Sequence, residues 1–330
     1  MKQFALGIDI GGTNTAIGVV DKDGNVLVKG GIDTPSHGNA SKFVKELSAA
    51  IRETIKSVSL LNPNSEIIGI GIGAPNGNYY SGTIEFAANL SFKGVFRLVA
   101  MLQNEFPELK HIVLTNDANA AAIGEMIYGG AKGMKNFVMY TLGTGVGSGI
   151  VVNGDLVYGS DGFAGECGHA TLIPEGRLCG CGGKGHLETY CSASGIKRTA
   201  FELLVYYNDN NSILAEIPFN KLTSKMVYEA ALNGDKIALE VFEKTGYYLG
   251  IGLADTVHYL TPEAIFLFGG PTAAGDLIFK PTIESMEKHL LPIFKNKIKI
   301  LRSELNAGDA AIMGASAMVW KEMEKHSNNS

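Results

Sequence analysis

The stretch that decides the fold is residues 4–30, FALGIDIGGTNTAIGVVDKDGNVLVKG. Its apolar runs are broken first by Gly-Gly-Thr-Asn and then by Asp-Lys-Asp-Gly-Asn, so the pattern predicts three short antiparallel strands joined by two turns. Beyond it we expect an amphipathic helix at about 40–60, a strand at 67–72, a helix near 96–106 and a strand at 111–114. Strands that alternate with helices indicate an α/β layer architecture.

The chain then repeats its opening pattern. Residues 136–157, NFVMYTLGTGVGSGIVVNGDLV, again combine strand, Gly/Thr loop, strand, Asn-Gly turn and strand. Superposing residues 10–13 on 142–145 also aligns 19–20 with 151–152. A repeat at this spacing indicates two similar lobes.

The rest of the chain completes a second lobe. We expect a loop-rich insert at 159–188, helices to about residue 260, a strand at 264–268, a helix, a strand at 298–301 and a last helix at about 309–325. The predicted lobes are residues 1–118, joined by the final helix at 312–330, and residues 119–311.

Composition narrows the class of protein. The 330 residues are 45% hydrophobic and 18% charged, which fits a globular chain with more than one core. A net charge of −5 without a Lys/Arg run argues against a nucleic-acid or anionic-membrane partner. No apolar stretch reaches the roughly 18 residues of a membrane-spanning helix, and no signal peptide is evident. We therefore expect a soluble cytoplasmic protein that binds small molecules.

The glycine-rich loops of the two repeats are candidates for phosphate binding, because glycine lets backbone N–H groups approach phosphate oxygens. The alternative for one such loop is a plain tight turn, but two copies favour a nucleotide site. Neither loop has the spacing of a P-loop or of a Rossmann GxGxxG unit. Asp9, at the end of the first strand, is placed to hold Mg²⁺ through water. The predicted loop contacts are Gly11, Gly12, Thr13, Asn14, Gly143, Thr144 and Gly145.

Asp117 is the candidate general base. It follows the strand at 111–114 and opens the alanine-rich helix at 118–128. Ligands of open α/β sheets bind above the carboxyl ends of the strands, where this carboxylate is expected. The alternative is that Asp117 only caps the helix, a frequent role for aspartate.

Residues 162–192, GFAGECGHATLIPEGRLCGCGGKGHLETYCS, combine a Cys-x-Cys pair with two flanking histidines. Four such ligands are the number that a closed structural zinc site requires. The alternative is four reduced side chains without a metal. All four cysteines of the chain fall in or beside this stretch, which makes a poor disulfide framework. Glu166 and Glu188 are left to accept hydrogen bonds from vicinal hydroxyls.

With these motifs the chain resembles the ROK family of sugar kinases and sugar-responsive repressors. The resemblance runs from LGIDIGGT at 6–13, through LGTGVGSGI at 142–150 and GFAGECGH at 162–169, to CGCGGKGHLE at 179–188 and the final helix. It implies the actin-like, ribonuclease-H-like fold, which has two lobes and a central cleft.

The resemblance also implies roles for single residues. Asp117 would be the catalytic base, and the adenosine would lie near Gly269 and Gly270. The implied sugar contacts are Asn89, Asn116, Glu166, His169 and Glu188. The implied zinc ligands are His169, Cys179, Cys181 and, where the family usually has a third cysteine, His186, with Cys191 as the alternative. A second departure is 73–76, Gly-Ala-Pro-Asn, so Asn76 is expected to alter contacts near the sugar.

The predicted function is transfer of the γ-phosphoryl group of ATP, with Mg²⁺, to the 6-hydroxyl of a hexose, a step of carbohydrate metabolism such as glycolysis. Glucose is the favoured substrate, followed by N-acetylmannosamine, N-acetylglucosamine, fructose and mannose.

A sugar-sensing repressor is disfavoured because the first strand begins at about Phe4, which leaves no helix-turn-helix before it. An actin-like filament protein would not need the cysteine and histidine insert. Relatives are commonly dimers or tetramers, which is the expectation here.

Overall fold

The computed structural model describes residues 2–35, 39–87, 90–208, 211–306 and 308–327. The chain forms two compact units. The first unit comprises Met1–Met134, Gly149–Gly165 and Glu304–Ser330, and the second comprises Lys135–Ser148 and Glu166–Ser303. This division differs from the predicted boundary after residue 118, because the helix that begins at Asp117 belongs to the first unit.

The elements up to residue 128 are β1 (Lys2–Ile10), β2 (Asn14–Val20), β3 (Val26–Asp33), α1 (Ala40–Leu61), β4 (Ser65–Gly73), β5 (Gly77–Asn78), β6 (Thr83–Glu85), β7 (Val95–Phe96), α2 (Leu98–Glu105), β8 (His111–Thr115) and α3 (Asp117–Tyr128). Those that follow are β9 (Phe137–Leu142), β10 (Val146–Val152), β11 (Asp155–Leu156), α4 (Glu188–Cys191), α5 (Ala193–Tyr207), α6 (Ser224–Leu232), α7 (Lys236–Leu260), β12 (Ala264–Phe268), α8 (Asp276–His289), β13 (Lys299–Arg302) and α9 (Ala310–Ser327). Short 3₁₀ turns occupy Cys167–His169 and Gly270–Ala274.

The predicted opening hairpins are confirmed. The first sheet has the strand order β3-β2-β1-β4-β8, in which β1, β2 and β3 are antiparallel and β1, β4 and β8 are parallel. Parallel pairing needs a crossover, and α1 and α2 supply the two crossovers. The carboxyl ends of three parallel strands therefore meet at one edge of this sheet.

The two faces of the first sheet are packed differently. On one face Ile8 and Ile70 join a buried core with Phe43 and Leu47 of α1. On the other face the backbone of α9 lies so close that a Cβ at Gly7 or Gly71 would overlap it. Gly7 of β1 and Gly71 of β4 are thus the reason that a helix can lie directly on the sheet.

The second sheet repeats the first. Its order is β11-β10-β9-β12-β13, and β9, β12 and β13 are parallel. The internal repeat predicted from 136–157 is confirmed. The small sheet β5-β6-β7 was not predicted, because strands of two or three residues carry no periodic signal. Among the described residues no helix is long and apolar enough to cross a membrane.

Candidate active site

The carboxyl edge of the first sheet carries two aspartates. Asp9, the last residue but one of β1, lies beside Gly73 of β4, and Gly73 in turn pairs with Thr115 of β8. Asp117 stands two residues beyond Thr115, at the first turn of α3. The parallel register therefore brings Asp9 and Asp117 to the same edge, as the sequence predicted for ligand-binding groups of an open α/β sheet.

Gly73 lies next to both aspartates. A Cβ at this position would lie 3.6 Å from Asp117 Cα and 3.9 Å from Asp9 Oδ1. Burial, and then the neighbouring charge of Asp117, raise the pKa of Asp9 to about 6. Burial also raises the pKa of Asp117, against the opposing effect of the Ala118 N–H, which donates to Oδ1 at 2.8 Å. Asp117 is crowded by protein atoms yet keeps solvent access, so it can exchange a proton with a ligand.

Asn116, rather than Asp117, is the N-cap of α3. Its backbone is extended (φ −62°, ψ 147°), and its Oδ1 accepts the Ala118 N–H at 2.8 Å. Because Asn116 caps the helix, α3 does not depend on Asp117 as its cap, although the Oδ1 of Asp117 accepts the same Ala118 N–H. The cap uses the Asn116 oxygen, which leaves the amide nitrogen as the group that Asn116 can offer to a sugar oxygen.

The first glycine loop is a tight connection between β1 and β2. The Gly11 N–H donates to the carbonyl of Asn14 at 2.9 Å, and the Thr34 N–H donates to the carbonyl of Thr13 at 2.7 Å. Gly12, Thr13 and Asn14 are exposed. Backbone hydrogen bonds therefore hold the loop in place, and its residues 12–14 remain accessible to a ligand, as phosphate binding requires.

The carboxyl edge of the second sheet carries glycines instead of carboxylates. The loop at 143–145 follows β9, and Gly269 and Gly270 follow β12, the parallel neighbour of β9. Gly269 has φ 107°, and a Cβ there would overlap the carbonyl of Leu142. A Cβ at Gly143 or Gly270 would meet no atom within 4 Å. The two segments predicted to bind phosphate and adenosine thus lie side by side on one edge.

Glu188 lies against the glycine loop of the second sheet. Its Oε2 accepts the Val146 N–H at 3.0 Å, and a Cβ at Gly145 would overlap the same oxygen. Its Oε1 lies 3.4 Å from the Sγ of Cys179. The carboxylate therefore connects the loop with the cysteine and histidine insert.

The predicted metal ligands are brought together. One atom from each of His169, Cys179, Cys181 and His186 lies within 4.8 Å of the others. The two Nδ1 atoms are 3.3 Å apart, Cys179 Sγ is 3.8 Å from His169 Nδ1, and Cys181 Sγ is 3.3 Å from His186 Nδ1. Tetrahedral zinc with bonds of about 2.0 Å to nitrogen and 2.3 Å to sulfur separates its ligands by about 3.3–3.8 Å. The three distances given above lie in this range, and the chemistry of the four side chains suits zinc.

The two ring nitrogens of His169 have different surroundings, and Cys191 lies outside the cluster of four ligands. His169 turns Nδ1 to the cluster, while its Nε2 lies 3.9 Å from Glu166 Oε2. Burial raises the pKa of Cys179 to about 11, so a cation is what would hold it as a thiolate. Cys191 is fully buried elsewhere, with Sγ 3.7 Å from the Thr245 carbonyl.

Two further residues were predicted to contact the sugar, Asn76 and Asn89. Asn76 lies in the β4–β5 turn with φ 51°, and its Nδ2 donates to the carbonyl of Glu85 at 2.9 Å, so half of its amide is engaged in the hairpin. Asn89 lies outside the described residues. Gly73 was not predicted as a site residue, and the sequence pointed to it only as the first residue of the 73–76 departure.

Comparison with known proteins agrees with the geometry. The model of the ROK family matches residues 5–322. The glucokinase of Halalkalibacterium halodurans is 35% identical over 98% of each chain, and that of Thermotoga maritima is 32% identical over 96% of this chain and 98% of the relative. The crystal structure of a ROK family glucokinase from Streptomyces griseus, in complex with glucose and AMPPNP, superposes with a TM-score of 0.79 at 31% identity, covering 96% of this chain and 99% of the other. A shared α/β fold, a shared motif order and a family match over nearly the whole length lead to one conclusion: this chain belongs to the ROK family.

Proposed function

We propose that the protein transfers the γ-phosphoryl group of ATP to the 6-hydroxyl of glucose. The observation that carries the proposal is the carboxylate pair, Asp117 and Asp9, at the carboxyl edge of the first sheet. Support for glucose as acceptor comes from the glucokinase relatives and from the structural neighbour with glucose and AMPPNP bound.

Asp117 is assigned the role of general base. Its pKa is raised by burial, which brings it closer to the range in which a carboxylate both accepts and returns a proton near neutral pH. Because Asn116 caps α3, the second oxygen of Asp117 is available to a hydroxyl group. Proton removal as the oxygen attacks phosphorus would make the 6-hydroxyl a better nucleophile.

Asp9 and the glycine loops are assigned to the nucleotide. Magnesium, when bound, neutralises charge on the transferring phosphoryl group, and Asp9 is the carboxylate placed to hold it through water. The exposed residues 12–14 and the open space above Gly143 give phosphate oxygens access to backbone N–H groups. Gly269 and Gly270, beside that loop, are assigned to the adenosine. These groups act by positioning and by charge, which are the main requirements of phosphoryl transfer.

The acceptor contacts assigned to the second unit are Glu166, His169 and Glu188. If His169 binds zinc through Nδ1, its Nε2 remains to donate to a sugar hydroxyl, and Glu166 lies on the same side of the ring. Zinc in a closed sphere of four protein ligands has no open position, so its task would be to order this loop.

A panel of acceptor sugars tests the proposal. ADP release would be followed by a coupled assay with glucose, mannose, fructose, N-acetylglucosamine and N-acetylmannosamine, and the product would be identified by NMR. We expect the highest kcat/KM with glucose and a phosphorus coupling at carbon 6. Another hexose as the best acceptor would overturn the assignment of glucose, and turnover with none of them would overturn the kinase assignment.

A sugar sensor without turnover is the second function that the family allows. Calorimetry with glucose in the absence of ATP distinguishes it. A sensor would bind glucose tightly and release no ADP when ATP is added, whereas the proposed enzyme binds glucose and releases ADP.

A further inference from the structure

Arg177 joins the cysteine loop to the helix that carries Glu188. The cysteine hairpin, residues 177–185, is closed by two backbone hydrogen bonds: the Cys179 N–H donates to the Gly183 carbonyl and the Gly185 N–H to the Arg177 carbonyl, each at 2.8 Å. It holds two of the four predicted metal ligands, and Arg177 is its first residue. Glu188 begins α4 three residues after the hairpin ends.

The side chain of Arg177 is only 9% exposed, and its guanidinium group donates hydrogen bonds through all three nitrogens. Nη1 donates to the Thr189 carbonyl at 2.8 Å, Nη2 to Thr199 Oγ1 at 2.9 Å, and Nε to Glu202 Oε1 at 2.9 Å, with a second contact to the other Glu202 oxygen. The guanidinium carbon lies 4.5 Å from the ring centre of Tyr190, and the Tyr190 hydroxyl accepts the Arg177 backbone N–H at 3.0 Å. One side chain thus ties the hairpin to the two residues that follow Glu188.

The Glu188 carboxylate lies between two groups, the Val146 N–H and the Cys179 Sγ, and Arg177 anchors the hairpin that carries Cys179. Its Oε2 is held by the Val146 N–H and its Oε1 faces the Sγ of Cys179, two residues after Arg177. If the hairpin shifts relative to α4, Cys179 moves against the Glu188 carboxylate. Only arginine offers a planar fork that reaches a carboxylate, a carbonyl and a hydroxyl at once.

We propose that Arg177 is a positioning residue of the acceptor site: it sets the orientation of Glu188, and through it the affinity for glucose, without contacting sugar or nucleotide. The inference rests on the proposed function, in which Glu188 binds the sugar. Two hydrogen bonds join the nucleotide loop to this region, from the Val146 N–H to Glu188 Oε2 and from the Ala193 N–H to the Gly143 carbonyl. Arg177 takes part in neither, so ATP affinity is expected to be insensitive to Arg177.

The test compares Arg177→Met and Arg177→Lys with wild type. Glucose binding is measured by calorimetry, and KM for each substrate by the coupled assay. We expect glucose affinity to fall about 10- to 100-fold in Arg177→Met, while KM for ATP stays within about 2-fold, because supporting residues of a binding group typically have effects of this size. Arg177→Lys should lie between, because it keeps the charge but loses the fork.

Two further variants sharpen the test. Arg198 also contacts the hairpin, through one Nη1 bond of 2.8 Å to the Leu178 carbonyl, but within the described part of the chain it donates no hydrogen bond to α4. Arg198→Met is therefore the matched control, and its glucose affinity should remain within about 2-fold of wild type. Glu202→Gln weakens only the exposed end of the network, so a loss of about 3-fold is expected.

Amide hydrogen exchange supplies a readout that does not depend on activity. The Gly185 N–H should exchange faster in Arg177→Met, and that of Val146 should follow if Glu188 is released. Unchanged glucose affinity in Arg177→Met and Arg177→Lys overturns the inference, as does a parallel fall of glucose and ATP affinity. If Arg177→Met does not fold, Arg177→Lys and Glu202→Gln decide. A wild-type protein that binds glucose but does not phosphorylate it overturns the proposed function and not the role of Arg177.

Discussion

The two sheets of this protein have the same strand arrangement, but their carboxyl edges carry different residues. Each has an antiparallel hairpin followed by two strands parallel to its first strand. At the carboxyl edge of the first sheet stand Asp9 and Asp117, whereas the corresponding edge of the second sheet has glycines at 143, 145, 269 and 270. Both edges have a glycine loop that lets phosphate oxygens approach the backbone, but the first edge adds two carboxylates that are suited to take up a proton and a cation.

The difference shows that the strand arrangement decides where a ligand can bind, and that the residues at the edge decide which ligand binds there. The same connection from first to second strand is built from Gly-Gly-Thr-Asn in one sheet and from Gly-Thr-Gly in the other. In the first sheet Gly73 lies next to Asp9 and Asp117, while in the second sheet Gly145 leaves room for the Glu188 carboxylate. Substitutions of single edge residues should therefore affect one substrate more than the other.

The largest effect is expected from Asp117→Asn, which keeps the size of the side chain but cannot accept the proton. We expect kcat to fall about 10²- to 10⁴-fold with glucose affinity largely kept. Asp235→Asn is the control, since Asp235 is also an aspartate at a helix N-terminus, where it caps α7 with an Oδ1 to Ala238 N–H bond of 3.0 Å. More than half of wild-type turnover in Asp117→Asn would show that Asp117 is not the base.

The glycines of the second edge give the next effect, and they should separate the substrates. In Gly145→Ala the new methyl group overlaps Glu188, so KM for glucose should rise about 10- to 100-fold, the range of a catalytic or binding group displaced by about 1 Å. In Gly143→Ala the methyl group enters open space where phosphate is expected, so KM for ATP should rise instead. Steady-state kinetics with each substrate varied in turn measures both, and equal effects on both substrates would contradict the assignment of the two glycines.

Removal of one metal ligand is expected to have a smaller effect. His186→Ala should lose zinc by elemental analysis and weaken glucose binding about 10-fold, while ATP binding is unchanged. His186→Cys restores a soft ligand and should keep both zinc and glucose affinity. Cys191→Ala is the matched control, because Cys191 is buried away from the cluster. Full zinc content in His186→Ala, or zinc loss in Cys191→Ala, would refute this ligand set.

The smallest effect concerns stability. The pKa of Asp9 is about 6 in the folded protein and near 3.8 when unfolded, so the folded state holds this proton more tightly and loses stability as the pH rises through 4 to 6. Asp9→Asn removes that loss and should stabilise the protein by about 1–3 kcal/mol at pH 8, and by less than half of that at pH 4.5. Urea unfolding at both pH values measures the difference, and an equal gain at both would show that Asp9 does not titrate there.

The same raised pKa values give the edge a pH signature. Both Asp9 and Asp117 gain protons more readily than free aspartate, so wild-type kcat/KM should fall as the pH drops below about 6. An activity that stays constant down to pH 4.5 would contradict a role for either ionised carboxylate.

Much of this could be predicted from the sequence, because strand and turn signals are local. The glycine-containing apolar runs at 4–30 and 136–157 predicted both hairpins and the internal repeat, and the spacing of cysteines and histidines at 169–186 predicted four ligands that lie within reach of one ion. These signals depend on neighbours in the chain, which periodicity and turn chemistry report directly.

The tertiary structure alone decided what depends on distant residues. The parallel register places Asp9 beside Gly73 and brings Asp117 to them, although 108 positions separate the two aspartates in the chain. It also shows that Asn116 caps α3, that Cys191 lies outside the cluster, and that Arg177 ties the cysteine hairpin to α4. Sequence spacing fixes which groups the chain can offer, whereas their distances and pKa values arise only when packing brings residues from separate elements together and removes water from between them.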